Sequence, residues 1–223
     1  MPKVIFGKMN KYNLISGFRI QRIEAISDGV FAIALTFLAL DIKVPVNDLI
    51  YSEKDLITTF LQLTPKLLTY FLSFVTMGIY WLAQSTQFHY INKSDRNLNW
   101  INLFFLLAIS IMPFTTAFLS QYIHFKFSIF IYWFNLSLLG QLLGINWYYA
   151  KKKNILSIND AEQKEVTKSI KNRIIESQIL YTIAALCCFI NAYLSIGLLV
   201  FIQLNYAFAV FSKKGNVTKY SDE

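Results

Sequence analysis

Charge is what this sequence has least of. Lys, Arg, Asp and Glu make up 15% of its 223 residues while hydrophobic residues make up 55%. Ordinary globular chains carry roughly 25% charged residues. So apolar a chain is not a disordered one. Cysteine is nearly absent, and Cys187 and Cys188 are neighbours inside an apolar run. That placement argues against a disulfide scaffold and against a metal site. With only eight glycines, a collagen-like repeat is out of the question. The two histidines, His89 and His124, are too few for a metal triad. No nucleophile–base pair stands at mid-span either, so the chain reads as a non-enzyme with no cofactor.

What is present in quantity is long apolar sequence. Residues 67–92, 97–125 and 127–150 contain no Lys, Arg, Asp or Glu, and each exceeds the roughly 20 residues a membrane helix needs. A fourth charge-free run, 177–212, is 36 residues long, enough for two short spans. Its natural break lies near Asn191 to Gly197, where Asn191, Ser195 and Gly197 interrupt the pattern. Residues 20–42 add a span that is polar at its start, through Glu24 and Asp28, and ends at Asp41. The expectation is an all-α polytopic membrane protein of one domain, with six spans near 20–42, 66–89, 99–121, 128–150, 174–191 and 193–212.

Basic residues sort by loop. Seventeen of the 21 lie before the first span, in loops 2–3 and 4–5, or at the C-terminus. Lys43, Lys54, Lys66 and Lys126 fall on the other side. The positive-inside rule then puts both termini in the cytoplasm of a multi-pass cell-membrane protein. The net charge of +8 therefore follows topology and does not form a nucleic-acid surface. No cleavable signal is expected, because residues 1–19 lack an uninterrupted apolar core. The hydrophilic segment Lys151–Arg173 reads as a connector near anionic headgroups, helical from Asn159 to Arg173. Trp81, Trp100, Trp133 and Trp147 read as interface anchors, and Pro113 as a kink eased by the hydroxyls of Thr115 or Thr116.

Ionisable groups inside a span are costly and point to function, and the first span holds Arg22, Glu24 and Asp28, with Ser27 alongside. Helical spacing lines up Arg22, Ile26, Gly29, Ile33, Thr36 with Phe37, and Leu40 as one stripe. Asp28 falls about 120° from Arg22 around the helix, so each is expected to find partners on other helices.

The segment Arg22-Ile-Glu-Ala-Ile-Ser-Asp-Gly-Val-Phe-Ala-Ile-Ala-Leu-Thr36 resembles the first-helix signature of the transmembrane protein 175 family, the lysosomal-type potassium channels and their prokaryotic relatives. The family pattern is an arginine, three residues, then Phe-Ser-Asp; here Ile26 replaces the phenylalanine, keeping an apolar group without the ring. The similarity continues through Pro65-Lys-Leu-Leu-Thr-Tyr, Trp81, His89, and Leu98-Asn-Trp-Ile-Asn102-Leu to Met112-Pro113-Phe114. It covers residues 19–120 well and the rest by hydropathy. With no second Ser-Asp-Gly motif, the chain resembles the single-repeat members.

The resemblance implies a homotetramer with helix 1 lining a central pore, permeable to potassium ions and set among membrane lipids. It implies a constriction at Ile33, with Thr36, Phe37 and Leu40 toward the outer side. It further implies that Arg22, Ser27, Asp28, His89 and Asn102 join in a structural and gating network. The absence of a Thr-Val-Gly-Tyr-Gly loop excludes a carbonyl filter, leaving a hydrophobic constriction to select. The main alternative, a cation- or proton-coupled secondary transporter, wants inverted repeats with paired broken helices and midplane ion ligands. Only one span here is polar, and its charges sit at one end.

Overall fold

The computed structural model describes residues 20–44 and 50–208. Seven α-helices run through them: α1 (Ile20–Leu40), α2 (Glu53–Leu61), α3 (Thr64–Tyr90), α4 (Arg96–Gln121), α5 (Lys126–Lys152), α6 (Asp160–Leu186) and α7 (Ala192–Phe208). Four of them, α1, α3, α4 and α5, are long and apolar enough to cross a membrane, and α7 is a shorter apolar helix. Lys3, Lys8, Lys11, Arg19, Asp48, Lys213, Lys214 and Lys219, and the last four residues of the sixth expected span, lie outside the described residues.

Helix starts follow local chemistry. Asp95 caps α4 by accepting from the Leu98 amide at 2.9 Å, and Asn159 caps α6 by accepting from the Glu162 amide at 2.9 Å. Both satisfy amides that no preceding turn can reach. Pro65 sits in the first turn of α3, where its missing N–H is harmless. The short α2 was not anticipated from the sequence. Its signal is a capping box in which the Ser52 side chain accepts from the Asp55 amide and the Asp55 carboxylate accepts from the Ser52 amide.

Two other boundaries differ from expectation. The hydrophilic segment after Asn159 and the apolar run from Ser177 form one continuous helix, α6, because nothing between them breaks helical geometry. A turn of 3₁₀ helix at Cys187–Phe189 then leads to the break before Ala192, at the near edge of the predicted interruption. Proline is tolerated inside α4. Pro113 deprives the Ile109 carbonyl of its donor, yet the helix runs unbroken to Gln121. Thr115 and Thr116 hydroxyls donate at 3.0 and 2.8 Å to the Met112 carbonyl, not to the freed one.

Apart from the short α2, successive helices alternate in direction, so the loops meet at two ends. At one end the Asn92 amide donates to the Ile155 carbonyl at 3.1 Å and the Ser157 amide to the Tyr90 carbonyl at 2.9 Å. At the other, the His124 ring stands edge-on to Tyr193 and the Lys126 ammonium lies 4.9 Å from the Phe189 ring centroid. One hydrophobic core, built around Tyr80, Phe105, Ile109, Met112, Tyr132 and Leu136, runs between them. A smaller cluster of Ile20, Ile23, Phe88, Ile91, Leu98 and Ala150 closes the first end.

Candidate functional site

The first helix packs on α3 and α4 through a single face. Its buried residues are Ile20, Ile23, Ser27, Phe31, Ala34 and Leu38, spaced three and four apart as one helical stripe requires. Phe31 inserts against Phe105 of α4, ring centroids 6.1 Å apart. The opposite stripe is bare. Ile26, Ile33, Phe37 and Leu40 are 52%, 56%, 54% and 69% exposed, and Arg22, Gly29 and Thr36 on the same side are exposed as well. A methyl group added at Gly29 would meet nothing within 4 Å. These are the residues that helical spacing aligned.

Thr36 has a defined hydroxyl orientation. Its Oγ1 donates to the Ile33 carbonyl at 2.8 Å, so the proton is committed to the helix and the oxygen's remaining acceptor capacity points away from it. On a stripe otherwise made of apolar side chains, this is an acceptor suited to a cation.

The five residues expected to form one network are distributed over several contacts. Asp28 is exposed, and its carboxylate accepts from the Trp81 indole N–H of α3 at 2.8 Å. This bond crosses from α1 to α3, the interhelical direction that the geometry of Asp28 called for. Asn102 is buried elsewhere. Its carbonyl accepts from Gln84 Nε2 at 3.3 Å, and its amide donates to the Leu98 carbonyl at 3.0 Å and to Asn146 Oδ1 at 3.3 Å. Asn146 in turn donates to Gln87 Oε1 at 2.8 Å, and Gln87 to the Leu143 carbonyl at 3.0 Å.

Four buried amides from three helices thus satisfy one another, which ties α3, α4 and α5 together at the level of Asn102. His89 is exposed and edge-on to Tyr90. Ser27 is buried with its hydroxyl unpartnered inside the protomer. Arg22 emerges on the bare stripe.

Sequence reasoning missed Gln84, Gln87 and Asn146 as partners and assigned Trp81 to the interface only. Three of the four tryptophans make bonds between helices: Trp81 to Asp28, Trp133 to Thr182 at 3.2 Å and Trp147 to Thr167 at 3.2 Å. A second polar cluster, also unforeseen, sits deeper in the bundle. The Thr116 and Ser73 hydroxyls are hydrogen-bonded at 2.7 Å, and Ser73 Oγ and Tyr132 Oη at 3.2 Å.

The profile of the family described as endosomal/lysosomal potassium channel TMEM175 matches residues 22–113, the stretch that carries the bare stripe, Trp81, His89 and Asn102. A potassium channel of Chamaesiphon minutus is 29% identical over 189 residues, covering 83% of this chain and 92% of that protein. The endosomal/lysosomal proton channel TMEM175 of Danio rerio is 38% identical over 98 residues, which is 42% of this chain but 19% of that much longer protein. Among solved structures, a lysosomal potassium-selective channel TMEM175 homolog from Chamaesiphon minutus matches with a TM-score of 0.73 at 27% identity. The match covers 85% of this chain and 97% of that one.

Proposed function

We propose that this multi-pass membrane protein, whose residues 22–113 carry the TMEM175 signature, is a potassium-preferring cation channel assembled as a homotetramer around four copies of α1. One observation carries the reading: an apolar helix long enough to cross a bilayer keeps Ile26, Ile33, Phe37 and Leu40 uncovered on one stripe while the other face is packed. One such stripe per chain cannot enclose a path, so copies related by rotation must supply the rest.

In this reading four Ile33 side chains meet on the axis and form a neck that water wets poorly, raising the barrier to a hydrated ion. Thr36 oxygens stand one turn further along, with Phe37 and Leu40 lining the outer approach. Arg22, Ser27, Asp28, His89 and Asn102 hold helix packing and set the gate; none of them coordinates the ion. The chain makes six passes through the cell membrane with both termini in the cytoplasm, α6 and α7 supplying the last two.

Bilayer recording of the purified protein under a potassium/sodium gradient tests the proposal. Unitary currents with a reversal potential on the potassium side are expected, and Ile33→Asn, which makes the neck wettable, should raise current and weaken ion preference. Transport without unitary currents favours the coupled transporter instead. If Ile33→Asn assembles normally yet conducts like the parent, the constriction lies elsewhere. Because animal relatives are named proton channels, a pH gradient without potassium belongs in the same experiment, and current under it adds proton permeation.

A further inference from the structure

We propose that the cavity between α3, α5, α6 and α7 holds one anionic phospholipid, with its phosphate at Arg173 and an acyl chain along the apolar walls. The inference rests only on the chain lying in a bilayer. Its test reads lipid binding, so it can fail while the channel reading stands, and the reverse.

The cavity has a volume of about 350 Å³, within the range of sites that enclose a ligand of a few hundred daltons. It exists because α5 and α7 each pack against both α3 and α6, holding those two helices apart across the gap. Ile79, Leu82, Ala83, Leu143, Ile170 and Ile174 wall it, so most of its interior offers water nothing to bond. Arg173 is the one charged residue that lines it. The guanidinium lies 5.6 Å from the Tyr206 ring centroid, an arrangement that holds its planar fork over an aromatic face. Tyr206 also lines the cavity, and its buried hydroxyl has no partner within the protomer.

A guanidinium and a spare phenol donor at the rim of an apolar cleft match a phosphodiester with an alkyl chain attached. The guanidinium can bond two phosphate oxygens at once, and the phenol can donate to a third phosphate oxygen or to an ester carbonyl. Surrounding charge favours the same ligand. Lys151 and Lys152 end α5 and Lys153 follows as its cap, and Lys164, Lys168 and Lys171 precede Arg173 on α6, against Asp160, Glu162, Glu165 and Glu176 on that helix. Arg173 also falls where the hydrophilic half of α6 gives way to its apolar half, the depth at which headgroup phosphates lie. Free phosphate would satisfy Arg173 but leave the apolar walls empty.

The test is native mass spectrometry of the full chain from micelles containing phosphatidylglycerol and phosphatidylcholine with identical acyl chains. Both lipids carry the phosphodiester, but the quaternary ammonium of phosphatidylcholine would lie against Arg173 and the nearby lysines, so retention of phosphatidylglycerol about tenfold above phosphatidylcholine is expected. Arg173→Gln should remove that preference and Arg173→Lys should keep part of it. Ala83→Phe, which plugs the cavity, should lose both lipids, with Thr86→Phe as a second plug if the first does not fold. Lys152→Gln, outside the cavity, should shift the preference far less than Arg173→Gln does. Equal retention of the two lipids overturns the proposal. So do a Lys152→Gln effect as large as that of Arg173→Gln, lipid retained in a folded plugged variant, and displacement of the lipid by millimolar inorganic phosphate.

Discussion

Ile23, Phe31, Ala34 and Leu38 on one side of α1 are as apolar as Ile26, Ile33, Phe37 and Leu40 on the other. The first four are between 2% and 5% exposed and the second four between 52% and 69%. Hydropathy does not separate two such faces; the residues between them do. The buried face is interrupted by a single polar residue, Ser27, whereas the bare face carries Arg22, Gly29 and Thr36. A third surface sharpens the contrast. The exposed side of α4, with Leu103, Phe104, Leu107, Ile111 and Phe114, is almost continuously bulky, as suits contact with acyl chains. Small and hydroxyl residues let helices approach one another in a membrane, so the bare face of α1 resembles an unfilled protein contact more than a lipid contact.

The largest expected effect comes from crossing between the faces. Phe31→Ala leaves a void against Phe105 and should destabilise the folded protomer by about 3–4 kcal/mol. Ile33→Ala should change protomer stability by less than about 0.5 kcal/mol, as exposed positions do. Unfolding in mixed micelles followed by circular dichroism measures both. Comparable losses from the two in a monomeric preparation would mean that the bare face is packed after all.

Next in size is the amide cluster that fastens the helices on which α1 rests. Asn102→Leu strands Gln84 Nε2 and Asn146 Oδ1, which Asn102 now pairs at 3.3 Å each. Leaving buried amides unpaired costs about 1–3 kcal/mol. The same unfolding assay should show a loss of that order without any effect on ion preference in a channel recording. A variant as stable as the parent would show that the cluster contributes nothing to the fold.

These residues also mark how far the sequence could be read. The stripe on α1 was legible because its 3–4 spacing is a property of the chain alone, and Asp28 because a carboxylate inside a span stands out. Gln84, Gln87 and Asn146 were not. Uncharged amides do not break a charge-free run, and which amide faces which depends on how α3, α4 and α5 are rotated. Trp81 was read as an anchor because indole chemistry suits an interface and an acceptor on a neighbouring helix equally. α2 was legible in principle, through Ser52 and Asp55, but lies between two spans in a segment where Lys43, Lys54 and Lys66 were read only as loop charge. The length of α6 escaped because hydropathy divides Asp160–Leu186 where helical geometry does not.

A smaller effect is expected at the bond joining α1 to α3. Trp81→Phe keeps an aromatic ring but removes the indole N–H that Asp28 accepts at 2.8 Å. The bond is at an exposed position, where a charge-assisted hydrogen bond contributes about 1 kcal/mol net. Asp28→Asn keeps an acceptor and should lose less. Either change should alter open probability or tetramer stability more than ion preference, measured by recording and by native electrophoresis of the same samples. Loss of potassium preference at unchanged stability would move Asp28 from helix fastening into the ion path.

The smallest structural effect, and the sharpest test of the bare face, is Thr36→Val. The two side chains have the same shape, and Thr36 is exposed, so stability should shift by less than about 0.5 kcal/mol. What disappears is the oxygen whose proton is already donated to the Ile33 carbonyl at 2.8 Å. If that oxygen faces a passing cation, its loss removes an acceptor just beyond the narrowest point and nothing else. An ion–oxygen contact that differs by about 1 kcal/mol between potassium and sodium corresponds to about a fivefold change in their ratio. Bi-ionic reversal potentials read that ratio directly, with assembly checked on the same preparation. A reversal potential identical to the parent's would place Thr36 against lipid or another helix, and the two faces of α1 would then differ in packing but not in function.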